Sequence, residues 1–313
     1  MTFLALAGCR PAADSSQTSA SQKETLLNTS GSITMLAPVS LQGQAYQAVV
    51  PKARFQHVGG ESDRGLVDLI AGDADIARVS RPLTAQDYEQ ARRAGVTLRP
   101  YTLGFDAVTV VVHPDRAKDL AYLTPQIARK IFLTGEINTW AQLGVLHDAA
   151  PLLQACAGPE TSGSTQFFYR SVAQPQDPSL NPRVQRLEKI HHVMLAVANN
   201  PWAMGVVPLS LIDLTQNTLH PLPITNAKGR AIQPHPETVR DRTYPWSRPL
   251  NAVVCVPVTP PIARFLDFSL SHKGQQAALP AGISSVRSTM PGSHSDKNQS
   301  QAPKAPLASG APL

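Results

Sequence analysis

The chain has 313 residues, of which 42% are hydrophobic and 16% charged. That balance suits a folded protein with a large core and excludes a wholly disordered one, and the length favours two lobes over one. The net charge of +6 comes from basic residues that never run beyond pairs such as Arg92-Arg93 and Arg129-Lys130. It lacks the concentrated basic face, interleaved with aromatics, of a nucleic-acid-binding protein.

In chain order, the opening "MTFLALAGC" is apolar and ends in Leu6-Ala7-Gly8-Cys9. This resembles a bacterial lipobox, in which a signal is cut before a cysteine that is then acylated, although the charged n-region of a signal peptide is missing. The alternative is a chance cysteine in a frayed terminus. Residues 10–30 are rich in Ser, Ala and Gln, as a flexible tether would be. No apolar run approaches the roughly 18 residues of a spanning helix, so a lipidated chain would be anchored to a membrane without crossing it.

The pattern then predicts a strand over residues 31–37, a turn, and a helix to about Val50. "ARFQHVG" reads as a strand, "SDRGLVDLIAG" as a helix stopped by Gly72, and "DADIARVS" as a third strand. "TAQDYEQARRAG" is an amphipathic helix capped by Thr84, and "FDAVTVVVHP" is a β-branched run of the kind covered on both faces. "TPQIARKIFLTG" is a helix with Thr124 as cap and Pro125 in its first turn. After "PLLQACAG", a short buried strand, come an elbow and a helix in "PETSGSTQFFYR". "RLEKIHHVMLAVANN" is helical, "MGVVPLS" and "RPLNAVVCVP" are strands, and "PPIARFLDFSLS" closes the pattern as a helix. Residues 288–313 have no periodicity and read as disordered. Such alternation implies mostly parallel sheets flanked by helices.

The elbow is chemically suggestive. The first N–H groups of a helix lack intrahelical partners, and the helix dipole adds positive potential there. Gly163 lets a ligand approach the backbone, and Ser162 and Ser164 add hydroxyl donors, so the stretch can seat an oxyanion. A capping serine followed by a flexible glycine explains the same letters. Covalent and cofactor chemistries find no support: GxSxG, SxxK, P-loop, GxGxxG and HExxH signatures are all absent. His191 and His192 are neighbours about 100° apart on a helix and read as surface residues, not metal ligands. Cys156 and Cys255 lie in separate strands and read as core thiols.

Several segments together resemble the phosphate-binding family of periplasmic solute-binding proteins that serve bacterial ABC importers. The segments are "GLVDLIAGDADIARVSRPLT", "LTPQIARKIFLTGEINTWAQLG", "SGSTQFF", "YPWSRPLNAVVCVP" and "FLDFSLSHKGQQAALPAGI", and the likeness covers roughly residues 31–287. The resemblance implies an α/β, two-lobed periplasmic-binding-protein fold of type II, with the ligand cleft between the lobes. It implies lobe one from 31–104 plus 220–287 and lobe two from 105–219, with crossings near Tyr101–Asp106 and Val206–Ile224. Carried over by position, the oxyanion site would draw on Ser40, Ser62, Ser80, Arg81, Ser162, Gly163 and Ser164. Ser40 and Ser62 are equally ordinary N-caps, and Arg81 is equally able to pair with a rim acid. Three departures stand out: Ala37-Pro38 where the family has Gly-Ser in the first loop, Glu61-Ser62-Asp63 in its glycine-rich turn, and Gly158 in place of an arginine. With Ser80 where some members carry Asp, a carboxylate that selects a protonated anion would have to come from Asp106 or Glu160.

The sequence therefore leads to a monomeric, non-enzymatic binding protein, lipidated at Cys9 in the cell envelope. It would take up inorganic phosphate or a related oxyanion and pass it to an inner-membrane ABC permease, without cofactor, metal or nucleic acid. A binding-fold lipoprotein acting as sensor or scaffold is the alternative. A phosphatase on this fold would need a nucleophile–base pair that the sequence does not offer.

Overall fold

The computed structural model describes residues 25–145, 151–175, 177 and 181–286. The expected lipobox with Cys9, most of the tether and the tail from 288 lie outside the described residues.

The first strand begins earlier than the sequence pattern suggested. β1 spans Thr25–Ser32, so residues 25–30, expected in the tether, are sheet. Its polar letters "TLLNTS" hide a strand flanked on both sides, parallel to β2 (Ala53–Gly60) over its whole length and to β3 (Ile76–Val79) near its end. A 3₁₀ turn at Ile33–Met35 leads directly into α1 (Leu36–Gln47). The Gly-Ser pair that ends this strand is Gly31-Ser32, and Ala37-Pro38 lies inside the helix.

α2 (Ser62–Ala71) follows β2 and ends at Gly72, whose φ of 83° is the left-handed stop the sequence predicted. α3 (Ala85–Arg93) opens on a capping box in which Thr84 and Asp87 satisfy each other's backbone N–H groups. β4 (Thr97–Val112) is the longest strand. Beyond it come α4 (Pro125–Arg129, capped by Thr124), β5 (Gln154–Ala157), α5 (Gly163–Val172) and β6 (Gln185–Arg186). α6 (Ile190–Ala198) and β7 (Ala203–Pro208) are followed by the short strands β8 (His220–Pro221), β9 (Ile224–Thr225) and β10 (Ala231–Ile232). α7 (Pro236–Arg240), β11 (Ser247–Val256), α8 (Pro260–Leu270) and α9 (His272–Ala278) complete the described chain.

The strand order is β2-β1-β3-β11-β4-β7-β5-β6, with β8 beside β4. The outer pairs are parallel, whereas β11 runs antiparallel to both β3 and β4, and β4 antiparallel to β7. One core lies on the two faces of β1–β3 and β11: Met35, Tyr46, Phe265 and Leu266 on one side, Leu66, Leu69 and Ala91 on the other. A second core gathers Val108–Val112, Phe132, Trp140, Phe168 and Val206. This is the two-lobed periplasmic-binding-protein architecture, and β4 enters both cores.

The return crossing differs from the expected one near Val206–Ile224. β8 pairs with the second-core end of β4, and Leu219, Leu222, Ile224, Val239, Tyr244 and Trp246 are all buried in that core. The chain rejoins the first core only at β11. Residues 220–246 carry enough apolar side chains to need a core, and the nearer one takes them. Among the described residues no helix is long and apolar enough to cross a membrane.

Candidate functional site

The parallel strands of both lobes deliver their carboxyl ends to one place, where an α/β sheet presents helix N-termini to a ligand. From the first lobe come Ser32 at the end of β1, Ser62 at the start of α2, and Ser80 just beyond β3. The Ser32 hydroxyl donates to Ser80 Oγ at 2.9 Å, Ser80 N–H donates to Ser62 Oγ at 3.2 Å, and the Ser62 and Ser80 hydroxyls lie 3.4 Å apart. From the second lobe comes the start of α5, with Ser162 as N-cap and Gly163 and Ser164 in its first turn. A Cβ on Gly163 would come within 2.6 Å of Ser80 Oγ and closer still to Ser62 Oγ. The two elbows therefore meet face to face, and Ser62, Ser80, Ser162 and Ser164 are all buried.

Five of the seven sequence-predicted site residues are thus brought together: Ser62, Ser80, Ser162, Gly163 and Ser164. Ser40 is not among the helix-start residues. It lies in the second turn of α1, well past the end of β1, because the strand starts earlier than its letters suggested. Ser32, with Thr34 in the turn that follows, takes the place Ser40 was expected to fill.

Arg81 is buried beside the site, but its guanidinium is turned to carboxylates. It forms a two-pronged pair with Asp87 at 2.6 and 2.9 Å and a third bond to Asp63 at 2.7 Å. Burial alone would ease its proton off, yet these two acids more than offset that and hold Arg81 above the usual arginine range. Such a pre-neutralised cation has little charge left for an anion. The rim-acid alternative describes it.

Another arginine reaches the centre of the site. Arg248, at the start of β11, is fully buried and stands opposite Asp106 of β4 in the strand register. It donates to Asp106 Oδ2 at 2.8 Å and to the Ser80 carbonyl at 2.7 Å, with the Thr34 hydroxyl at 3.5 Å. Burial lowers its pKa and Asp106 opposes the shift. Its Nε has no hydrogen-bond partner. The second Asp106 oxygen accepts from Ser210 N–H at 3.0 Å, so each of its oxygens already holds one partner. Glu160, the other expected acceptor, pairs with Arg186 at the surface.

Sequence reasoning missed Arg248 because its signal is not local. An arginine opening an otherwise apolar strand becomes meaningful only when its acid is known to lie 142 positions away on the neighbouring strand. A further carboxylate, that of the half-buried Glu61, stands immediately before α2 and makes no capping bond to it. Burial raises its pKa; a side-chain hydrogen bond with Ser162 opposes the rise, Asp63 adds to it, and Arg248 opposes it. Beside it, Gln166 of α5 donates to Asp63 at 2.6 Å, a second bond between the lobes. Arg78 is buried without an acid and donates to the carbonyls of Gly31 and Val58, and burial pulls its pKa down to about 10.

A family model described as "PBP superfamily domain" matches residues 13–273. The chain belongs to this family. Among curated relatives, a protein from Staphylococcus haemolyticus named "Phosphate-binding protein PstS" is 22% identical over 262 residues, covering 83% of this chain and 81% of the relative. Among solved structures, a putative phosphate ABC transporter substrate-binding protein from Clostridium perfringens superposes with a TM-score of 0.71 at 22% identity. That match covers 84% of this chain and all of the other. An ABC-type phosphate transport receptor from Vibrio cholerae gives a TM-score of 0.66 at 21% identity, covering 82% of this chain and 99% of the other. At such identities the likeness shows the fold, and the site residues must speak for the ligand.

Proposed function

We propose that this protein is the solute-binding component of an ABC importer and that it captures inorganic phosphate between its lobes. The observation that carries the reading is the convergence of two helix-start elbows, Ser62 with Ser80 from one lobe and Ser162-Gly163-Ser164 from the other, over the buried Arg248. The relatives' printed names supply the choice of phosphate among oxyanions. Peptide N–H groups at the starts of α2 and α5 and the serine hydroxyls would bind the anion's oxygens without forming a covalent bond. Arg248 contributes a positive charge that Asp106 balances while the cleft is empty. Closure of the lobes excludes water, which strengthens every one of these hydrogen bonds.

On this reading the mature protein works as a monomer outside the cytoplasm, held to the membrane by a lipid on Cys9, and delivers its anion to an inner-membrane permease. The close approach of Gly163 to the Ser62 and Ser80 hydroxyls also favours a second reading. In it the fold serves as a sensor or scaffold that keeps its partner surface but binds no small anion.

Calorimetric titration in phosphate-free buffer separates the two. Saturable heat with inorganic phosphate supports the transport reading. No heat with phosphate, sulfate, arsenate or molybdate, together with retained association with a membrane protein, supports the scaffold.

A further inference from the structure

Three arginines, Arg78, Arg81 and Arg248, are buried where the first lobe meets the cleft. Two of them arrive with their charge balanced: Arg81 is held by Asp63 and Asp87, and Arg248 by Asp106. Arg78 is the exception. It stands on β3 opposite Gly31 of β1 in the strand register, two residues before Ser80, and is fully buried. Its Nη2 donates to the carbonyls of Gly31, at 3.1 Å, and of Val58. Its Nε and Nη1 have no hydrogen-bond partner, and no carboxylate pairs with it among the described residues. We propose that Arg78 is the positioning cation of the anion seat: without touching the ligand, its unbalanced charge behind the serine cluster sets how tightly an oxyanion is held. The inference rests on the binding role proposed above and names the group that supplies its net positive charge.

A buried charge without a partner is unfavourable, and two neutral carbonyls offset only part of that cost. An anion in the cleft would offset more of it, because attraction between charges carries further once water is excluded. The path is short. Ser32 follows Gly31 directly, and its hydroxyl donates to Ser80 Oγ at 2.9 Å, so the chain neighbours of Arg78 and of its carbonyl partner carry serines of the seat. The Gly31 carbonyl and the Ser32 N–H belong to one peptide group, and a guanidinium bonded to the first makes the second a stronger donor. The neighbouring elements supply no balancing acid. On β2, burial lowers the pKa of His57 and Arg78 lowers it further, which keeps that ring neutral. On β1, the Thr29 hydroxyl lies 2.8 Å from the same ring. α1 carries no charged residue, and Arg264 and Asp267 of α8 are exposed. Asp68 of α2 is taken by Ser30 and Arg64, and Asp75 by the Asn28 N–H. Burial lowers the pKa of Arg78 itself only to about 10, so the charge persists at neutral pH.

The test is calorimetric titration of the full chain with inorganic phosphate between about pH 6 and pH 9 for the wild type, Arg78→Met, Arg78→Gln and Arg78→Lys. Each variant's dissociation constant is taken as a ratio to the wild type at the same pH, which cancels the ligand's own titration. Methionine keeps most of the volume without the charge, and glutamine keeps a donor for the two carbonyls, which guards against a methionine variant that fails to fold. Both should bind phosphate about tenfold or more weakly across the range. A lysine restores the charge, although when buried it gives up its proton far more readily than arginine. Arg78→Lys should bind within about threefold of the wild type at the acid end and weaken towards the glutamine variant where it loses its proton. A residue that merely braced β1 against β2 would give no such rescue. If a folded neutral variant binds as tightly as the wild type, or if Arg78→Lys is weakened as much as Arg78→Gln at every pH, phosphate capture stands and the role of Arg78 is overturned. If the wild type itself binds no phosphate, both readings fall.

Discussion

A methyl group on Gly163 would strike the hydroxyls of Ser62 and Ser80, so this position decides how closely the lobes approach. Gly163→Ala should leave each lobe folded but hold the cleft open. Phosphate affinity is expected to fall by about tenfold or more, since the hydrogen bonds lose the water-free setting that strengthens them. Calorimetry reads the affinity, and an unchanged far-ultraviolet spectrum checks the fold. Asp106 makes a different kind of demand. Removing it leaves the guanidinium of Arg248 buried and uncompensated, and Asp106→Ala should cost about 3–5 kcal/mol in urea unfolding. Single residues were unevenly legible in the sequence. The Ser162–Ser164 elbow has a local signature, hydroxyls beside a glycine at a helix start, whereas Ser62, flanked by Glu61 and Asp63, was placed only through the family resemblance. Ser40 misled because the strand before it begins among polar letters, and Arg81 because its two acids lie 6 and 18 positions away. Arg248 has no local signature at all.

Elements announced themselves best where their ends carry chemistry. Thr84, Thr124 and Gly72 act as the caps their positions implied. β1 was misplaced because a strand flanked by parallel neighbours needs no apolar alternation. The capping box of α3 does more than start a helix, since Asp87 holds Thr84 N–H and Arg81 at once. Thr84→Ala should therefore cost about 1 kcal/mol in chemical unfolding. The same carboxylate gives the molecule an acid limit. Burial works against its ionisation, but the bonds from Arg81 and Thr84 outweigh that and hold its pKa below the usual aspartate value. A carboxylate depressed in the folded state stabilises the fold above its unfolded pKa of about 3.9, and that stability is lost as pH falls through the folded value. Asp87→Asn should lower stability at pH 7 and flatten the loss of stability below about pH 4, as urea midpoints measured across pH would show.

At the scale of the whole molecule, two cores are joined through β4 and the start of β11, and the candidate site lies where the lobes touch. The sequence conveyed the two-lobed plan but misassigned residues 220–246, because which of two cores a run of short strands joins is a matter of space and not of pattern. The shared site has a thermodynamic consequence. A ligand gripped by both lobes stabilises only the state in which both are folded and closed, so its binding energy should couple their melting. Phosphate at about 100 times its dissociation constant contributes about 2.7 kcal/mol, which for a chain of this size corresponds to a rise of about 4–5 °C in melting temperature. Ser62→Ala in one lobe and Ser164→Ala in the other should each reduce that rise, and Ser62→Ala should also lower the melting temperature without phosphate, because it leaves the buried Ser80 N–H without its acceptor. A rise lost on altering one lobe but untouched by altering the other would mean that the anion binds a single helix start, and that the meeting of the two elbows is packing alone.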